Sequence, residues 1–377
     1  MEKLFKYIKR MLISIIIFIV VLVAAYFLFV GFYPTFGGDV SKERQAEFTK
    51  STQFIKGKFE NTKPVNMSQS FSETLNMAKK FFFTNVKNGR PKNDLSVKKI
   101  DSLNIVNYAD STRFIWFGHS SFLLQINQKN ILIDPMFSNV PAPHSMLGGK
   151  RFSTELPIEV QKLPKIDAVI ISHDHYDHLD YESISILKEK VDTFYTPLGV
   201  GVHLEAWGVQ KERIIELDWW QETTFYDLKF VCTPAIHFSG RKFSNGQSTL
   251  WSSWIIQSKS ENIFFSGDSG YGSHFKEIGE KYGPFDFAMM ECGQYNEMWP
   301  EIHMFPEETA QAGVDVRAKK VMPIHWGAFK LALHSWTDPI ERITKKANEL
   351  NLPLITPKIG EPFLLNENKI DSDNWWK

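Results

Sequence analysis

The chain has 377 residues, with 43 Lys and Arg set against 43 Asp and Glu and a formal net charge of +0. That length accommodates one large domain or two ordinary ones. The neutral balance argues against a global field that draws in nucleic acid. Cys232 and Cys292, the two cysteines, make neither a disulfide framework nor a Cys-rich zinc module; their apolar surroundings predict two buried thiols, with a single bridge as the alternative if the domain is exported. Hydrophobic residues at 43% against 23% charged leave ample material for a core, and 31 Phe and 11 Trp suit a sheet-rich interior with aromatics to spare for an apolar groove or lipid.

Residues 11–32 (MLISIIIFIVVLVAAYFLFVGF) carry no charge. About 20 apolar residues suffice for a helix to cross a bilayer. A core helix keeps a polar face, which this run lacks. A cleaved signal peptide has a shorter apolar region and a small-residue cleavage site, whereas Ala24-Ala25 leads into Tyr-Phe-Leu-Phe. An uncleaved single-pass anchor is therefore expected. Lys3, Lys6, Lys9 and Arg10 precede it with only Glu2 against them, which keeps the N-terminus cytoplasmic and puts the rest outside. The expected division is an anchor over 1–33, a linker and extension packing on the domain over 34–109, and a hydrolase domain over 110–377.

A turn-rich exit (Tyr33-Pro34-Thr35-Phe36-Gly37-Gly38) opens a Lys-rich connector over 41–75, expected to lie on the domain surface. Apolar spacing by three and four predicts a helix over 71–86, ended by Asn88-Gly89-Arg90-Pro91. From residue 113 short strands take over, at 113–117, 121–126, 131–133, 168–171 and 193–196, with a helix at 183–190. Further strands are predicted at 227–233, 250–257, 263–265, 285–290 and 320–322, and helices at 274–282, 306–317 and 339–350. Meanders first and alternation later suggest two sheets face to face with helices outside.

The densest chemical signal is Ser172-His173-Asp174-His175-Tyr176-Asp177-His178-Leu179-Asp180, directly after an apolar strand. Three imidazoles and three carboxylates this close are costly to bury unless a metal takes them as ligands. In extended backbone His173 and His175 point to one side, while Asp177 and His178 lie past the strand end and can turn to a second ion. A solvated polar loop is the bland alternative. It weakens because His237, Asp268 and His325 each sit just beyond another apolar run, where loops converge above sheet edges. Two divalent ions polarise a water and clamp an oxyanion, so a metal-bridging hydroxide that attacks an ester is the expected chemistry. Mixed N and O ligation without thiolate suits two Zn²⁺, with Mn²⁺ or Fe²⁺ as alternatives. Asp174 and Asp180 are expected to orient imidazoles from behind.

This constellation resembles the motif set of the metallo-β-lactamase superfamily over roughly residues 110–365. The resemblance implies an α/β fold, an αββα sandwich, with the metals at one edge of the sheets. It implies one ion on His173, His175 and His237, a second on Asp177, His178 and His325, and Asp268 bridging. Asp268 stands where true β-lactamases of this fold commonly have Cys, which argues against an antibiotic substrate. Trp116-Phe-Gly-His119-Ser120-Ser121, Ile133-Asp134-Pro135, Gly149-Lys150-Arg151-Phe152, Gly267-Asp268-Ser269-Gly270-Tyr271 and Ile324-His325-Trp326-Gly327-Ala328-Phe329 resemble a narrower group, the N-acyl-phosphatidylethanolamine-hydrolysing phospholipase D proteins. In that group a further His precedes a helix opening with Pro-Glu-Glu and aids catalysis. His303 matches it, with packing on Trp299 as its bland alternative. His119 has a supporting or a merely structural role. Asp268, His303 and Asp177 are thus the expected catalytic residues. A lipid or small-molecule ester is the expected substrate, membrane contact runs through residues 11–32, and nucleic acid is not a partner. Dimers are common in the group, so a homodimer enters by resemblance only. A lactonase or other ester hydrolase is the alternative activity, and a non-catalytic metal-binding envelope protein is disfavoured because all seven ligands are present.

Overall fold

The computed structural model describes residues 1–65, 71–367 and 374–377. The N-terminal third contains α1 (Glu2–Phe32), α2 (Lys42–Phe48), a short hairpin of β1 (Phe54–Ile55) and β2 (Lys58–Phe59), α3 (Phe71–Phe83) and α4 (Ser102–Val106). The first half of the domain follows with β3 (Arg113–Trp116), β4 (Phe122–Ile126), β5 (Lys129–Ile133), β6 (Ile166–Ile170), α5 (Tyr181–Leu187), β7 (Val191–Pro197), α6 (Gly201–Ala206) and β8 (Ile214–Leu217). The second half contains β9 (Glu222–Phe225), β10 (Leu228–Thr233), β11 (Ser253–Gln257), β12 (Asn262–Phe265), α7 (His274–Tyr282), β13 (Phe287–Glu291), α8 (Pro306–Asp315), β14 (Val321–Ile324), α9 (Asp338–Leu350) and β15 (Pro362–Leu364).

Seven strands form one sheet in the order β15-β3-β4-β5-β6-β7-β8, and six form the other in the order β14-β13-β12-β11-β10-β9. The period-two alternation of side chains explains how the layers assemble. On β4, Phe122, Leu124 and Ile126 enter the core shared with the second sheet, while Leu123 faces the other way. On β5 and β6, Ile131, Ile133, Ala168 and Ile170 face inward, and Leu132 and Val169 pack outward with Ile184 and Leu187 of α5 and Leu204 of α6. The far face of the second sheet is covered by Phe275 and Ile278 of α7, Ala310 of α8, and Ile340 and Ile343 of α9. Strands buried on both faces read as continuous apolar runs, which is why they were visible in the sequence. The αββα sandwich is as expected.

Several boundaries differ. The helix expected over 71–86 stops at Phe83, and the one over 183–190 runs Tyr181–Leu187 because Asp180 caps it. The strand expected over 250–257 begins only at Ser253. Ser252 N instead donates to Ser172 O, and Leu250 N to Leu198 O, so this stretch ties the two sheets together. β8, β9, β15 and α6 were not foreseen. β8 and β9 are sheet-edge strands with half-exposed residues and little apolar signal.

The connector does more than cover the surface. Phe48 and Phe59 are buried in the main core, each contributing about 1.5–3 kcal/mol by area. Arg44 Nη2 pairs with Glu216 Oε2 at 2.6 Å. Cys232 and Cys292 are free and buried, as expected. In α1 no residue is buried, and the helix is long and apolar enough to cross a membrane.

Candidate metal centre

β10, β12, β13 and β14 run in the same direction, and β5 and β6 run parallel in the facing sheet. The carboxyl ends of these strands carry the site. His173 follows β6, His237 follows β10, Asp268 follows β12, Glu291 is the last residue of β13, and His325 follows β14 directly. Such strand ends are where α/β sheets collect functional groups.

All seven expected ligands come together. His175 Nδ1 lies 3.0 Å from His173 Nε2 and 3.2 Å from His237 Nε2. Asp177, His178 and His325, joined by His119, form a second convergent group. Asp268 lies between them: its Oδ2 is 3.8 Å from both His173 Nε2 and His237 Nε2, and 3.2 Å from His178 Nε2. His173, His175 and His237 gather in one group and His119, Asp177, His178 and His325 in another, while Asp268 also groups with His173 and His178 and with His237 and His303.

The donor set fits metal on its own chemistry. Among the described residues, His178 Nε2 and Asp268 Oδ1 are buried polar atoms without a hydrogen-bond partner, and both face the cluster. Buried polar atoms are almost always satisfied, so these two point to an ion. Burial, followed by neighbouring imidazoles, holds His173 and His237 well below the usual histidine range. Burial, followed by the His119 imidazole, lowers His325 in the same way, and burial takes His175 down to about 4 against the opposing pull of Asp174 and Asp177. Neutral imidazole is the ligand form. His178 departs from this pattern: burial opposes its charge, but Asp268, Asp177 and Asp134 around it overcome that and raise it. Burial pushes the Asp268 carboxyl up to about 7, against the pull of His178. Imidazoles crowded around carboxylates at this burial form a donor set that a divalent cation would satisfy.

The imidazoles are aimed from behind. Asp134 Oδ2 accepts from His178 Nδ1 at 2.6 Å, and its carboxylate also takes Ser172 N at 2.7 Å. His237 Nδ1 donates to Ile302 O at 3.0 Å. Asn61 clasps the His237 backbone on both sides, Nδ2 to His237 O at 2.8 Å and Oδ1 from His237 N at 3.1 Å. His119 Nε2 meets Asp177 Oδ2 at 2.8 Å. His303 Nδ1 contacts Glu291 Oε1 at 2.5 Å, and Glu291 Oε2 accepts from Ser269 N at 2.7 Å. The His303 ring also lies near those of His237 and His325, with centroids 5.1 and 5.3 Å away. It is held by a carboxylate, and the Trp299 indole Nε1 donates to Gln294 O at 2.9 Å.

Asp174 and Asp180 correct the sequence expectation. Asp180 Oδ2 accepts from Ser138 Oγ at 2.6 Å and Ser183 N at 3.1 Å and caps α5. Asp174 accepts from Gly240 N and Thr249 Oγ1, both at 2.8 Å, and contacts His203, which lies outside the cluster. Both carboxylates brace loops.

Backbone strain is concentrated here. His119, Asp134 and His325 have φ of +55°, +39° and +65°. Non-glycine residues rarely adopt such angles, at a cost of about 1–3 kcal/mol each, unless the surroundings enforce them. The enforcement is visible: His325 N donates to His119 O and His119 N to Trp326 O, both at 3.1 Å. Gly267, at φ +56°, lets the turn before Asp268 approach Ser252, whose carbonyl would lie 2.6 Å from an added Cβ.

Sequence reasoning missed three supporting residues. Glu291 had a signal, a lone carboxylate ending the apolar run 285–290. Asp134 ended a strand at a resembling motif but was given no role. Asn61 had no signal at all.

Residues 129–326 match the family described as the Beta-lactamase superfamily domain. The chain belongs to the metallo-β-lactamase superfamily and is a metal-dependent hydrolase of that fold. An uncharacterised protein of Mycobacterium tuberculosis is 42% identical over 250 residues, which is 65% of this chain and 67% of that relative. N-acyl-phosphatidylethanolamine-hydrolyzing phospholipase D 1 of Caenorhabditis elegans is 31% identical over 229 residues, 57% of this chain and 64% of the relative. Among solved structures, the metallo hydrolase Igni18 of Ignicoccus hospitalis superposes with a TM-score of 0.51 at 22% identity, over 67% of this chain and 98% of its own, and shares the fold.

Proposed function

We propose that this chain is a dinuclear, zinc-dependent phosphodiesterase of the phospholipase D type, acting on N-acylated phosphatidylethanolamine or a similar lipid phosphodiester. The observation that carries this reading is Asp268, a carboxylate between two His-rich trios, in a chain similar to the nematode phospholipase. His173, His175 and His237 would hold one ion and Asp177, His178 and His325 the other, with Asp268 between. Two divalent ions supply an activated water and neutralise charge developing on phosphate oxygens. His303, held at Nδ1 by Glu291, keeps Nε2 free for the substrate. As the water oxygen bonds to phosphorus and the P–O bond to the N-acylated amino alcohol breaks, His303 Nε2 takes the proton the water gives up and passes it to the leaving oxygen. His119 and Asp134 keep Asp177 and His178 aimed throughout.

In this reading α1 is an uncleaved anchor. The basic residues before it keep the N-terminus cytoplasmic, and the hydrolase domain lies on the opposite side. An anchored enzyme meets bilayer substrate at high effective concentration. The test is mass spectrometry of products after the full-length, zinc-loaded protein is incubated with vesicles containing N-acylphosphatidylethanolamine. N-acylethanolamine and phosphatidic acid in equal amounts are expected. Turnover of lactones with no phosphodiester cleavage would overturn the lipid assignment in favour of a lactonase.

A further inference from the structure

The end of α1 is fastened to the domain. Trp207 Nε1 donates to Pro34 O at 2.7 Å, and Thr35 Oγ1 to Pro143 O at 2.7 Å. Arg241 gives Thr35 O two bonds, from Nε at 2.9 Å and Nη2 at 2.6 Å. Phe36 is buried, and Lys242 pairs with Asp39 at 2.7 Å. No free tether separates helix from domain, so the helix sets how the domain faces a bilayer.

Two loops of the domain extend back along the helix. The Phe243 ring lies 6.4 Å from that of Tyr26, and His144 lies 6.5 Å from Phe29 and 5.6 Å from Tyr33. Tyr26 precedes the helix end at Phe32 by six residues, about 9 Å at 1.5 Å per residue. Phe243 is 96% exposed, and Met146 and Leu147, next to His144 in the same loop, are 85% and 61% exposed. Apolar side chains this exposed, beside a helix that is itself apolar on all sides, mark a surface made for lipid.

We propose that Phe243, Met146 and Leu147 insert into the bilayer that α1 crosses, forming a docking face that seats the metal cluster at the lipid surface. The inference rests on α1 being a membrane span. It favours lipid over a protein partner because Phe243 stands at the level of the helix's own apolar residues, within the bilayer's depth. The same arginine that grips Thr35 also reaches the ligand loop: Arg241 Nη1 donates to Asp174 O at 2.6 Å and Leu179 O at 2.8 Å, and Tyr176 Oη donates to Arg241 O at 2.5 Å. A single side chain thus links the membrane-side segment to the loop bearing His173, His175, Asp177 and His178. A lipid substrate then reaches the ligands without leaving the interface.

The test uses full-length protein in phosphatidylcholine–phosphatidylglycerol nanodiscs containing nitroxide-bearing lipid. Single cysteines carry an environment-sensitive dye, the native Cys232 and Cys292 being buried. Labels at Phe243→Cys, Met146→Cys and, within the helix, Ile19→Cys are each expected to lose at least half their fluorescence. A label at Leu103→Cys, near Asn104 and its partner Arg113 at the opposite end of the sheet, is expected to keep it. Quenching at 19 but not at 243 and 146 would overturn the docking face while leaving the span intact. Absence of quenching at 19 would overturn the span and the inference with it. Unquenched 243 labels that report on each other in pairs would assign the face to a second copy of the chain and overturn the lipid proposal.

Discussion

The ligand loop and the segment between Tyr33 and Asn61 serve the same site by opposite means. The loop packs His173, His175, Asp177 and His178 into six residues, so short-range geometry nearly defines its half of the cluster. The segment contributes no expected ligand. It reaches the site through contacts spanning more than 170 positions, with Asn61 on the His237 backbone and Phe48 and Phe59 in the core. The difference teaches that ligand identity and ligand placement are encoded separately. Identity is local and chemically loud. Placement depends on residues whose types are ordinary and whose partners are far away.

The largest test strikes the loud side. Asp268→Asn removes the charge shared by both trios, and turnover should fall on the order of 10³-fold or more, with bound metal reduced and circular dichroism unchanged. Wild-type-like activity in this variant would mean that the carboxylate does not join the two sites. His303→Ala should lower kcat about 10²-fold with metal content, read by atomic emission, kept at the wild-type level. Loss of an ion instead would make His303 a ligand. Glu291→Gln, which keeps the shape but not the charge, should fall between wild type and His303→Ala.

The quiet side is tested by Asn61→Ala. Two backbone groups of His237 lose their partner, which should cost about 1–3 kcal/mol in chemical denaturation. Zinc affinity should also weaken, by about tenfold, as it does when groups behind a ligand are removed. If both values match wild type, the comparison between the two regions fails. The smallest effect concerns His274, which meets Ser269 Oγ at 3.1 Å behind the Asp268 turn. Burial holds its imidazole down to about 3, so it is neutral when folded. The unfolded chain takes up a proton below about pH 6.5, and the stability this group contributes is therefore present above 6.5 and lost as pH falls toward 3. His274→Asn should lose up to about 2 kcal/mol less than wild type between pH 7 and pH 5, read from urea midpoints.

The sequence by itself determined which His and Asp residues cluster, the strand ends that carry them and the uncharged stretch 11–32 that α1 contains, because these depend on side-chain chemistry and on local periodicity. It also pointed to His303. Only the tertiary structure decided that Asp134 and Glu291, rather than Asp174 and Asp180, stand behind the site's imidazoles. Which carboxylate faces which ring depends on how two sheets and their loops stack, and neighbours in sequence point to different sides of a strand end. The docking of the helix end through Arg241 and the clasp of Asn61 belong to the same class. Each is a hydrogen bond between groups that every chain has in abundance, made specific only by the fold that brings them together.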